Sequence, residues 1–158
     1  MCSRAYPPYV LLALTACAHV PRPLPPITLT DVEGRPALLF DGQPRAVAFL
    51  ATYCLPCVAL IPELTALQTR TRDRGLSVVA VFLDTEGVAV VRPFVEHAQP
   101  AFPVLIADAD FAAGRSPVGL IPELPALLFL DGQGRPVASV SGLAQPAQLD
   151  AAAALALR

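Results

Sequence analysis

The chain of 158 residues predicts an α/β fold in three layers, with a mixed central sheet between layers of helix. Predominantly apolar runs at 46–51, 77–83 and 126–130 have the length of strands that are buried on both faces. Helix-like segments follow the first two runs, as expected for parallel strands joined by crossovers. After a turn at 131–134, alternation over 137–141 predicts an antiparallel edge strand.

The first part of the sheet is predicted from turn residues and apolar spacing. A hairpin of modest strands is expected over 27–40, with Glu33-Gly34 at its turn. The strand at 46–51 then leads into a one-faced helix over 58–74, which Gly75 ends.

The second part of the chain contains an insertion and a closing helix. A helix at 86–97 and a short strand at 103–106 are predicted between the second and third buried strands. An Ala-rich helix opens at Pro146, because the first position of a helix does not need an N–H donor.

Composition limits the class of protein. Hydrophobic residues make up 54% of the chain and charged residues 15%, which indicates one globular domain and excludes a disordered chain. The net charge of −2 gives no basic surface for phosphates, so no nucleic-acid partner is expected.

The N-terminal region has the pattern of an export signal. Arg4 precedes a short apolar stretch at 9–14, which is too short to span a bilayer. The four residues Leu14-Thr15-Ala16-Cys17 resemble the lipobox of bacterial lipoproteins, in which the cysteine becomes the lipidated first residue. Ordinary cleavage at an A-x-A site around Cys17 is the alternative.

The expected organisation follows from this pattern. Residues 1–17 form the signal peptide, 18–26 a Pro-rich tether, and 27–158 a single domain. The domain is then expected outside the cytoplasm, on the periplasmic side of the cell envelope, and held on a membrane surface by lipid at Cys17.

The motif Cys54-Leu-Pro-Cys57 predicts a redox dithiol. It follows a buried strand and precedes a helix, whose unpaired N–H groups and dipole stabilise a thiolate at Cys54. Cys57, one turn further, can then resolve a mixed disulfide. A structural disulfide is not expected, because closing so small a ring would add little stability. A zinc site is not expected either, because it would need two more ligands and only the isolated His19 and His97 remain. No metal or cofactor is expected.

Three segments together resemble the thioredoxin family, in its secreted or membrane-tethered TlpA/ResA-like branch. They are 48–57 around the two cysteines, Val78-Val-Ala-Val-Phe-Leu-Asp84, and Pro125-Ala-Leu-Leu-Phe-Leu-Asp-Gly132. The resemblance covers residues 27 to 158 and implies a thioredoxin-like sandwich with an N-terminal hairpin and an inserted helix and strand.

The resemblance also implies the roles of several residues. Pro125 corresponds to the family's cis-proline, which borders a groove for a substrate peptide, with Leu124 and Tyr53 beside it. Cys54 and Cys57 form the redox disulfide. A reducing role is implied, such as keeping apocytochromes c or other envelope proteins reduced, with protein disulfides as substrates and a membrane thiol–disulfide protein as electron donor.

The chain departs from the family at two carboxylates. Thioredoxin has a buried Asp where this chain has Ala48, and many ResA-like proteins have a Glu where it has Leu60. Such groups move protons to and from the buried thiol. Glu63 is expected to be solvated rather than to replace them, and Asp84 to cap a turn at the end of its strand.

Three alternative functions remain open from the residues. A metal-handling module, with copper as the metal, could use Cys54, Cys57 and His97. A thiol peroxidase could use Thr52 near Cys54, although no activating Arg is evident. The third is a scaffold without redox activity.

Lipidation at Cys17 predicts a protein that is extracted with membranes and carries acyl chains on Cys17. Mass spectrometry of the mature N-terminus measures this directly, and Cys17→Ser should abolish the modification and release the protein from the membrane. An unmodified N-terminus at Ala18 or His19 would contradict the prediction.

Overall fold

The computed structural model describes residues 21–158, so the predicted signal peptide, Cys17 and His19 lie outside the described residues. The strands are β1 Thr28–Asp31, β2 Pro36–Leu38, β3 Arg45–Leu50, β4 Ser77–Phe82, β5 Val104–Ile106, β6 Ala126–Leu130 and β7 Pro136–Ser141. The helices are α1 Leu55–Thr71, α2 Val88–Ala98, α3 Ala109–Ala112 and α4 Pro146–Ala156, with a 3-10 turn at Arg72–Arg74.

The strands of the described region form one mixed sheet in the order β2-β1-β5-β4-β3-β6-β7. β3 lies near the middle, parallel to β4 and antiparallel to β6, and all six of its residues are buried. β7 is an edge strand, and β5 inserts between β4 and the N-terminal hairpin. The predicted mixed sheet, hairpin and inserted helix and strand are therefore confirmed.

The two faces of the sheet are covered unequally. Helices α1, α2 and α4 pack on one face, over alternate residues of β3 and β4 such as Ala48 and Ala80. The other face is covered by the short α3 and by irregular chain, with Phe111 of α3 against Phe49 of β3 at a ring-centroid distance of 6.2 Å. The third layer is thus mostly loop.

Two details differ from the sequence prediction. Helix α1 begins at Leu55 and not at position 58, because Cys54 acts as its N-cap and Pro56 is tolerated in the first turn. Helix α3 was not predicted, since four residues are too few to show helical spacing. It forms because the carboxylate of Asp108 accepts the N–H groups of Asp110 and Phe111.

The chain joins the domain at Leu24, inside the predicted tether. The N–H of Leu24 donates to the carbonyl of Gly134 at 2.9 Å, and its side chain packs on the cluster of the loop-covered face. Gly134 lies in the turn between β6 and β7, at the end of the sheet where β3 begins. The N-terminal segment is therefore fixed to that end of the sheet.

No helix within residues 21–158 combines the length and apolar character that crossing a bilayer requires.

Two turns of the sheet have the same design, at 31–35 and 131–135. In each, the aspartate N–H donates to the arginine carbonyl, and the aspartate carboxylate accepts the arginine N–H and Nε. Burial by itself would raise the pKa of Asp131, but the N–H and guanidinium of Arg135 outweigh it, so the pKa lies below its ordinary value. Gly34 and Gly134 hold the same position, with φ of +80° and +76°.

These matched turns allow a controlled test of packing. An alanine Cβ at Gly134 would lie 2.8 Å from the ring of Phe40, whereas at Gly34 nothing lies within 4 Å. Both substitutions carry the left-handed backbone cost of about 1–2 kcal/mol. Gly134→Ala should lower the free energy of unfolding by about 1–3 kcal/mol more, because it overpacks the site. Urea denaturation measures the difference, and equal losses would show that Phe40 moves freely.

Candidate active site

The cysteine pair lies where β3 passes into α1. Cys54 is the N-cap of α1 and has an extended backbone, and its sulfur accepts the N–H of Cys57 at 3.3 Å. The two residues form a disulfide, with Cα atoms 5.2 Å apart. The first turn of α1 holds no acidic residue, so no side chain of that turn neutralises the positive end of the helix dipole. On reduction, this position favours negative charge on Cys54.

The two sulfurs differ in access. Cys57 is 1% exposed and belongs to the core cluster under α1, whereas Cys54 is only partly buried. Tyr53 and Leu55, on either side of Cys54, are 73% and 81% exposed. A substrate disulfide can therefore approach Cys54 over an apolar surface. Cys57 is shielded from solvent, and the sulfur within its reach is that of Cys54.

The peptide bond between Leu124 and Pro125 is cis, which confirms the conformation expected for this proline. Pro125 is buried directly before β6, whose first residue pairs with Phe49 of β3, so it lies at the end of the sheet from which the cysteine turn projects. Its carbonyl accepts the N–H of Gly142 at 2.8 Å. We call this end, where β3 and β4 finish and β6 starts, the redox end.

The missing carboxylates are replaced by apolar side chains. Ala48 and Leu60 are both fully buried in the same cluster as Cys57. Glu63 is half-buried on α1, and six helical residues place its side chain about 120° around the axis from that of Cys57. It is not positioned to replace the absent groups.

A buried carboxylate does lie at the redox end, on a residue for which the sequence indicated only a turn. Asp84 follows β4 and is 3% exposed, and it accepts hydrogen bonds from the N–H and the hydroxyl of Thr52. The Thr52 hydroxyl therefore donates to Asp84, and this contact gives no support to the peroxidase alternative. The hydrogen bond spans 32 positions of sequence, so spacing could not reveal it.

His97 is not brought to the cysteines. It is exposed near the end of α2, and this helix leads from the redox end to the opposite end of the sheet. Within residues 21–158, no group of three or more His, Cys, Asp or Glu side chains could hold a metal ion. The geometry thus gives no support to a copper site built from Cys54, Cys57 and His97.

Comparison with known proteins shows similarity in sequence and in fold. No protein-family model matches the chain. It is 29% identical over 128 residues to the thiol-disulfide oxidoreductase ResA of Bacillus cereus, covering 80% of this chain and 72% of that protein. A thiol:disulfide interchange protein of the thioredoxin family from Chlorobium tepidum superposes with a TM-score of 0.72 at 25% identity, covering 87% of this chain and 97% of that one.

The chain is similar in sequence to the ResA thiol-disulfide oxidoreductases and has the thioredoxin-like fold. Its similarity to these named oxidoreductases and its fold support a thiol–disulfide oxidoreductase. A secreted thiol-disulfide isomerase from Corynebacterium glutamicum has the same fold, with a TM-score of 0.72 at 22% identity over 85% of this chain and 84% of that one.

The difference in access predicts unequal reactivity of the two thiols in this ResA-like protein. After reduction, iodoacetamide should modify Cys54 about tenfold faster than Cys57 or more, because only Cys54 is reachable and lies at the helix N-terminus. Peptide mass spectrometry of briefly labelled protein measures the ratio, with Cys54→Ser and Cys57→Ser as single-thiol references. Faster labelling of Cys57 would contradict the geometry.

Proposed function

We propose that the protein is an exported thiol–disulfide oxidoreductase that reduces disulfides of cell-envelope proteins through Cys54 and Cys57. The observation that carries this proposal is the pairing of a reachable sulfur at the N-terminus of α1 with a buried sulfur one turn further in the helix. That arrangement provides an attacking thiolate and a resolving thiol in one rigid turn.

The exchange runs in two balanced steps. The Cys54 thiolate attacks one sulfur of a substrate disulfide, which forms a mixed disulfide and releases the other substrate sulfur as a thiolate. The Cys57 thiolate then attacks the Cys54 sulfur, which releases the second substrate thiolate and forms the Cys54–Cys57 disulfide. Two electrons pass to the substrate, and each released thiolate takes up a proton from solvent.

The substrate meets the surface formed by Tyr53, Leu55, Leu124 and Pro125. Tyr53 and Leu55 offer exposed apolar area beside Cys54, and Pro125 borders the groove at the start of β6. Extended polypeptide segments with a cysteine between apolar residues suit this surface. Apocytochromes c and other envelope proteins with exposed disulfides are the substrates that we propose.

The oxidised protein must be returned to the dithiol state. A membrane thiol–disulfide protein is the electron donor that we propose, because the leader pattern at 1–17 predicts export and anchoring at Cys17. The fold serves outside the cytoplasm in other proteins, such as the neighbour from Corynebacterium glutamicum that is described as secreted.

Cys57→Ser should trap the first intermediate. With the resolving thiol removed, the variant should accumulate a mixed disulfide through Cys54 when it is reduced and then mixed with insulin, a model disulfide substrate. Non-reducing electrophoresis shows the adduct. Cys54→Ser is the matched control and should form none; an adduct through Cys57 alone, or no turnover of insulin by the native protein, would contradict the proposed roles.

The direction of the reaction is tested by the midpoint potential of the Cys54–Cys57 couple. A reductant should equilibrate with glutathione buffers at about −270 mV, near thioredoxin, whereas a value near about −120 mV would assign the opposite, oxidising role.

A further inference from the structure

Asp84 is a buried carboxylate that touches the turn carrying Cys54. It is 3% exposed and lies two residues beyond the end of β4. Both of its oxygens accept the N–H of Thr52 at 3.1 Å, and Oδ1 also accepts the Thr52 hydroxyl. Among the described residues no cationic side chain pairs with this carboxylate, so the hydrogen bonds from Thr52 are what compensate its burial.

Thr52 occupies the segment 51–53, which joins β3 to α1. The last backbone bond between the two strand ends runs from the N–H of Leu83 to the carbonyl of Leu50, at 2.9 Å. Beyond it, the bonds from Thr52 to Asp84 are the next link between these ends. Cys54 then closes the turn with its N–H on the carbonyl of Ala51 at 3.2 Å.

We propose that Asp84 is a positioning residue of the redox site, which holds Thr52 and thereby fixes Cys54 as the N-cap of α1. This inference rests on the proposed function, because it concerns how the Cys54–Cys57 couple reacts. It also gives a role to a buried carboxylate in a site that lacks the two carboxylates of its relatives, at Ala48 and Leu60. Asp84 acts through backbone geometry and not as a proton carrier.

The charge and the hydrogen bonds of Asp84 predict opposite effects on Cys54. A nearby anion disfavours a thiolate, so removing the charge alone would make Cys54 more reactive. Loss of the hydrogen bonds lets the turn relax, so the thiolate loses its place at the helix N-terminus and becomes less reactive. The sign of the change therefore separates positioning from electrostatics.

Two variants and two controls use this difference. Asp84→Asn removes the charge and weakens the tie, while Thr52→Val removes the hydroxyl and keeps the charge. Thr52→Ser keeps the hydroxyl and should behave as the native protein. Asp108→Asn removes a carboxylate that also accepts two backbone N–H groups after a strand at the redox end, but these groups belong to α3.

The readouts are the pH profile of Cys54 alkylation and the equilibrium of the couple with glutathione. Asp84→Asn and Thr52→Val should each slow alkylation at neutral pH about fivefold, the factor of one ordinary hydrogen bond, and move the midpoint of the profile upward. The disulfide form should be favoured over the dithiol by a similar factor. Thr52→Ser and Asp108→Asn should leave both readouts unchanged.

Other outcomes overturn the inference. Faster alkylation in Asp84→Asn with no change in Thr52→Val would show a charge effect only. Unchanged alkylation and an unchanged glutathione equilibrium, with a lower free energy of unfolding, would show that the bonds between Asp84 and Thr52 only stabilise the fold. If Asp84→Asn does not fold, Thr52→Val decides the question alone. If the native protein cycles between dithiol and disulfide and the variants behave in the same way, only the positioning role is refuted. If the native protein has no reversible Cys54–Cys57 couple, the proposed function is refuted as well.

Discussion

The site depends on a helix that is capped by sulfur. The first turn of α1 has neither a carboxylate in it nor a hydroxyl at its N-cap, and the sulfur of Cys54 accepts the N–H of Cys57 instead. This contact works only because β3 enters the turn from a fixed position, between β4 and β6 and with every residue buried. The positive end of the helix dipole is therefore available to stabilise a thiolate on Cys54.

Much of this arrangement can be predicted from local patterns. The buried strands are visible because strands covered on both faces need continuous apolar runs, and β6 begins at the predicted residue, Ala126. The cysteine pair is recognisable because its spacing falls between such a run and a helix. The cis bond before Pro125 was expected from family resemblance, since spacing alone carries no signal for it.

The features that the sequence did not predict depend on contacts between distant residues or on segments too short to show a pattern. The bonds between Asp84 and Thr52 join residues 32 positions apart, and the sequence predicts only a turn at Asp84. Helix α3 is too short for periodicity, and the N-cap sulfur that starts α1 at Leu55 is not a usual capping group. Leu24 also gave no sign that it would leave the Pro-rich segment and dock on the domain.

The docking of Leu24 sets a geometry for any anchored form of the protein. The turn that receives it lies a full strand length from Cys54, about 20 Å for the six residues of β3. The seven residues from Cys17 to Leu24 span at most about 25 Å when fully extended. In a copy anchored at Cys17, the attachment point and Cys54 would therefore lie at opposite ends of β3, and Cys54 could meet a donor within the membrane only if the domain tilted within the reach of this linker.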